Sequence, residues 1–89
     1  MYQKLLSEIY NLNEDLVRFI KKNELNSLFF TYREIDDLIV KCLEYTSTMD
    51  ESNFADDIKN TLEFSEFIEY FDKLIVLRKS KLIMNMFIS

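Results

Sequence analysis

The chain has 89 residues, 48% of them hydrophobic and 15% aromatic, with a formal net charge of −5. That apolar content excludes intrinsic disorder, and the acidic balance argues against a general nucleic-acid binder, which needs a basic face to displace counterions. The chain has no Gly, no Pro, no His and no Trp, and a single Cys, so phosphate-cradling glycine loops, histidine-activated nucleophiles and an internal disulfide are all out of reach.

Without Gly or Pro, the chain lacks the residues that turn a backbone most sharply. The composition therefore predicts an all-α protein: one domain spanning residues 1–89, folded as an antiparallel helical bundle. The first helix is predicted from about Tyr2 to Lys22. Tyr2, Leu5, Ile9, Leu12, Leu16 and Phe19 alternate in spacings of three and four, a heptad seam on one helix face. Leu6, Tyr10, Val17 and Ile20 widen that seam to the stripe a bundle helix needs.

Asn23 and Glu24 read as a short link, with Asn23 as a helix cap. A second helix then repeats the pattern through Leu25, Leu28, Tyr32, Ile35, Ile39 and Cys42, flanked by Phe29, Leu38 and Leu43. So short a link predicts an antiparallel hairpin. Residues 46–53 (Thr-Ser-Thr-Met-Asp-Glu-Ser-Asn) are polar and small, the composition of a loop; Asp50, Ser52 or Thr48 is the expected cap of the next helix, and Thr48 with Glu51 has capping-box spacing.

After Asn53, Phe54, Ile58 and Leu62 begin one apolar stripe. Phe64, Phe67, Phe71 and Leu74 define another, with Ile68, Ile75 and Leu82 on a neighbouring row. The phase shifts near Glu63–Ser65. A continuous helix from Ser52 to Met86 would be about 52 Å long, against about 30 Å for the first helix. Two forms are compatible with this: a bundle of three long helices, or four with a break near 61–65. The length mismatch favours the break.

Nothing in the pattern points to catalysis, a metal or a cofactor. Cys42 falls on the apolar seam, where a free thiol behaves as a small core residue. The acids at Glu34, Asp36, Asp37, Asp56 and Asp57 lack the spacing and the loop glycine of a calcium site. The expectation is a non-enzyme. No apolar run approaches the roughly 20 residues that span a bilayer, and charges recur too early for a secretion signal. The expected location is the cytoplasm, with neither membrane nor nucleic acid as partner.

Charge is unevenly placed. Residues 50–72 hold eight acids and one base, Lys59, whereas residues 73–89 hold Lys73, Arg78, Lys79 and Lys81 and no acid. Acids near a helix start and bases near its end complement the helix dipole; the same asymmetry also makes a bipolar face able to orient a partner. The last segment is apolar on more than one side, and a helix of that kind must bury both. The expected contact surface for a protein partner is therefore Phe64, Phe67, Tyr70, Phe71, Leu74, Leu77, Met84 and Phe87. Asp50, Glu51, Asp56, Asp57, Glu63 and Glu66 form a candidate acidic face.

Leu25, Leu28, Tyr32, Arg33, Glu34, Ile35, Leu38 and Ile39, following a hairpin link, resemble the first half of FliT-type flagellar export chaperones. Phe71-Asp72-Lys73-Leu74-Ile75-x-Leu77-Arg78 is similar to a later helix of that family. The resemblance implies a small cytoplasmic bundle that holds a secretion substrate ready for export. Two rival readings stand beside it. One is a small acidic inhibitor, an immunity or phage anti-defence protein, whose stretch Asp50–Asp72 docks on a basic groove. The other is a structural subunit that forms a homodimer through its last helix.

Overall fold

The computed structural model describes residues 1–25 and 30–88, with side chains for all of these except Leu25 and residues 85–88. The chain forms α1 (Tyr2–Leu25), α2 (Tyr32–Asp50), α3 (Ala55–Lys59) and α4 (Leu62–Ile88), and no strand among the described residues. This is the all-α bundle that composition predicts, in its four-helix form. The break falls at Asn60–Thr61, at the leading edge of the predicted window.

Helix α1 buries Leu5, Ile9, Leu16 and Ile20, with Leu12 and Phe19 half-buried beside them. Two asparagines, Asn13 and Asn23, occupy the same buried line. The predicted link at Asn23–Glu24 is thus corrected: Asn23 follows Ile20 by three residues, stays on the covered face at 3% exposure, and the helix runs on to Leu25. Leu28 and Phe29, assigned above to the second helix, lie outside the described residues. The cap of α2 is Thr31, whose hydroxyl accepts the Glu34 backbone N–H at 3.2 Å.

Helix α2 buries Ile35, Ile39, Cys42, Tyr45 and Met49. The predicted loop at 46–53 is corrected to a shorter turn after Asp50. Thr46 and Thr48 return their hydroxyls to the carbonyls of Cys42 and Glu44, at 2.9 and 3.0 Å, instead of competing with the helix. Met49 is wholly buried and anchors that last turn in the core. Thr48 is therefore inside α2 rather than a cap. Ser52 makes the turn, donating to the Met49 carbonyl at 2.6 Å and accepting from the Phe54 N–H at 3.2 Å.

Thr61 separates the last two helices. Its hydroxyl donates to the Ile58 carbonyl at 2.6 Å, closing α3, and accepts the Phe64 N–H at 3.2 Å, capping α4. The single buried residue of α3, Ile58, pins this short helix to the core.

Helices α1 and α2 are antiparallel: the Tyr45 hydroxyl bonds the Leu5 carbonyl at 3.0 Å at one end, and the Phe19 ring meets Phe30, just before α2, at 4.1 Å between centroids at the other. Helix α4 also runs against α2, with Phe67 beside Tyr45 at one end and Arg78 paired with Asp36 at the other. Helices α1 and α4 consequently run in the same direction and make the most extensive pairing of the bundle. One cluster joins all four helices: Leu5, Ile9 and Leu16 meet Ile35, Ile39, Cys42 and Met49, with Ile58, Phe67 and Leu74. Each large aliphatic so buried contributes about 1.5–3 kcal/mol over its exposed state. The radius of gyration is 14.4 Å, against about 12 Å for a compact chain of this length. An elongated bundle keeps more of each helix at the surface.

Candidate functional site

Helix α4 is 27 residues long, about 40 Å by helical rise, and carries apolar side chains around most of its circumference. Its inward line is Phe67 and Leu74, both essentially inaccessible, continued by the buried Lys81. Phe67 stacks on Phe71 at 5.9 Å between ring centroids and also meets Phe64 and Tyr45, each at 6.0 Å. Phe64, Phe71 and Leu77 are half-buried against the same core.

The residues expected on the contact surface thus divide. Phe67 and Leu74 lie inside the bundle, where only an opened bundle would present them. Phe64, Tyr70, Phe71 and Leu77 cover the core with one side and meet solvent with the other. Met84 is half-buried, and the side chain of Phe87 lies outside the described residues. The outer surface of α4 is carried instead by Ile68, Val76, Leu82 and Ile83, which are 43%, 61%, 48% and 53% exposed, with Leu62 at the start of the helix. Sequence reading passed over these four as contact residues. The heptad row Ile68, Ile75, Leu82 carries the signal for two of them; Val76 and Ile83 each follow a member of that row by one residue.

On α2, Val40 and Leu43 are also exposed. The Asp36–Arg78 pair, at 3.1 Å, sets the antiparallel register of α2 and α4. Seven residues along each helix from that pair, Leu43 reaches the level of Phe71. On the opposite flank, a groove of roughly 360 Å³ is lined by Ile20, Val76 and Leu77, with Glu24, Asp72 and Lys73 at its rim.

A second open cleft, of about 460 Å³, lies further along α1 and α4 between Tyr10, Asn13, Val17 and Tyr70, with Glu14, Arg18, Lys21 and Glu66 around it. Its lining mixes charges of both signs. Glu14 acts on the Tyr10 hydroxyl by hydrogen bond and by charge, and raises its pKa. Asn13 forms the floor and donates to the Glu63 carbonyl at 2.9 Å.

The acidic residues occupy the corner where α2, α3 and α4 meet. Asp50, Glu51, Asp56, Asp57 and Glu66 are exposed and Glu63 is half-buried. Lys59 neutralises part of this corner through its contact with Asp50 at 3.3 Å. No group of three or more metal-ligating side chains converges among the described residues. Cys42 is buried, and desolvation pushes its thiol up to about 12; a thiol so held is not a nucleophile at neutral pH. Among the described residues no helix is long and apolar enough to cross a membrane. No protein family, curated protein or solved structure matches the chain.

Proposed function

We propose that this chain is a non-catalytic protein-binding module, a small helical chaperone or adaptor of the cytoplasm that holds a partner protein on the outer face of α4. One observation carries the reading: Ile68, Val76, Leu82 and Ile83 stand about half exposed on a helix whose opposite side already fills the core. Several large apolar side chains exposed on one helix face mark an interaction site on a small domain. The half-buried Met84 adds an adaptable side chain at the end of the same helix.

The test is capture from a native-host lysate on the immobilised chain, compared with Val76→Asp/Ile83→Asp. Both positions are exposed, so circular dichroism should remain helical while specific capture is lost. Capture through an apolar face should also persist as salt is raised. Capture that instead collapses with salt and with Asp56→Lys/Asp57→Lys, while ignoring the α4 substitutions, would select the acidic-inhibitor reading.

A further inference from the structure

Resting on that reading of the α4 face, we infer that its occupant is a second copy of this chain, paired antiparallel through α4 about a two-fold axis between Ile75 and Val76. The placement of apolar and charged residues on the face leads to this arrangement. Ile68, Asp72, Ile75, Lys79 and Leu82 follow one another at spacings of four and three, a heptad seam on the outside of the helix. Val76 and Ile83 widen it by one residue. Every one of these side chains is exposed except Ile75, which is half-buried.

A two-fold axis at that midpoint sets Ile68 opposite the second copy's Ile83, Ile75 opposite its Val76, and Asp72 opposite its Lys79. At 100° per residue the members of each pair lie equally far to either side of a single line along the helix, so all three pairs face one another together. Two kinds of apolar pair flank the pairing of the one acid on the seam with the one base; Leu82, at the end of the seam, comes level with the second copy's Glu69, which Lys73 of its own helix holds at 3.8 Å. A parallel pairing would oppose Asp72 to Asp72 and Lys79 to Lys79, so the charges select the antiparallel form. Neither Asp72 nor Lys79 forms an ion pair within the chain among the described residues.

Asp72 and Lys79 are the charges the contact uses: Arg78 is paired with Asp36, Lys73 with Glu69 of its own helix, and Lys81 is buried on the inward line. The contact is isologous and closes as a dimer, leaving no free apolar end to propagate. A foreign partner on this face has to displace the second copy, so the two occupancies exclude each other.

Sedimentation velocity and native mass spectrometry test the pairing at about 100 μM, a concentration suited to a short helix pair at the weak end of the interface range. The native chain is expected to be dimeric there. Asp72→Lys alone places Lys opposite Lys79, and Lys79→Asp alone places Asp opposite Asp72. Each is expected to weaken self-association by about ten-fold or more. An equimolar mixture of the two variants restores unlike charges at both sites and is expected to recover a heterodimer. Circular dichroism melts establish that both exposed substitutions leave the bundle folded. A native chain that stays monomeric overturns the inference, as does a dimer that persists in each single variant or a mixture that fails to associate. None of these outcomes touches the lysate experiment with Val76→Asp/Ile83→Asp, which decides separately whether the face binds protein at all.

Discussion

The Tyr45 hydroxyl donates a hydrogen bond to the Leu5 carbonyl at 3.0 Å, a buried contact between residues 40 apart in the chain. It ties the C-terminal half of α2 to the first turns of α1. Leu5 also sits in α1, so its carbonyl keeps the intrahelical N–H of Ile9 if the hydroxyl is lost. Tyr45→Phe should therefore cost only about 1 kcal/mol, the net worth of one hydrogen bond with no polar atom stranded. Tyr45→Ala also empties the space beside Phe67, whose ring lies 6.0 Å away, and should cost roughly 3–5 kcal/mol. Urea denaturation of the two variants separates the contributions. A Phe variant as damaged as the Ala variant would mean the hydroxyl, not the ring, anchors this end of α2.

Cys42 and Tyr45 make stability fall in alkali. Burial raises the Cys42 thiol from 9.0 to about 12, and raises the Tyr45 phenol from 10.0 to about 12, with the charge of Glu8 adding to the effect. Both groups hold their protons longer in the folded chain than in the unfolded one. Their contribution is complete below the unfolded values and is lost as pH rises toward the folded ones. The stability curve should be flat through pH 8, then decline above pH 9 with a slope approaching about 1.4 kcal/mol per pH unit from the thiol. Above pH 10 the phenol joins and the decline steepens. Cys42→Ala should be less stable at neutral pH, from the lost packing, yet should hold its stability up to about pH 10. Denaturation midpoints at pH 7, 9, 10 and 11 for both proteins check the difference.

The bundle itself was legible because α1 and α2 are amphipathic. Leu5, Ile9 and Leu16, or Ile35, Ile39 and Cys42, recur at helical spacing with polar residues between them, and periodicity alone locates their buried side. The helix ends were harder. Asn23 has the chemistry of a cap and yet occupies a buried position, and Thr48 returns its hydroxyl to its own helix. The true cap of α2 was readable in Thr31-Tyr32-Arg33-Glu34, which has the capping-box spacing. The α4 face was the least legible part. With Phe67 and Leu74 on one side and Val76 and Ile83 on the other, an apolar pattern that runs around the helix does not say which side the rest of the chain will cover. That is decided by long-range placement: Asn13 fixes α4 along α1, and the Asp36–Arg78 pair fixes it along α2.

Asn13 is 5% exposed in the middle of an apolar helix line, and its side chain reaches the Glu63 carbonyl 50 residues away. Within the chain only the amide nitrogen is partnered: Asn13 Oδ1 is buried and accepts from no described group. A stranded buried acceptor costs about 1–3 kcal/mol, which matches or exceeds the roughly 1 kcal/mol that the single bond returns. Asn13→Leu keeps four side-chain heavy atoms, is bulkier, and has the open Tyr10–Tyr70 cleft to expand into; it removes both the bond and the unpaired oxygen, while the Glu63 carbonyl keeps its own helical N–H from Phe67. The variant should therefore be more stable by about 1 kcal/mol, or several degrees in melting temperature for a chain of this size. The polar residue serves position rather than stability, since α4 can slide along an all-apolar α1 but loses its hydrogen bond if it slides past Asn13. The leucine variant should accordingly melt higher but less cooperatively, with broader amide signals for residues 62–70 by NMR. A leucine variant that melts lower than the native chain would overturn this account, because the asparagine would then contribute net stability at this position.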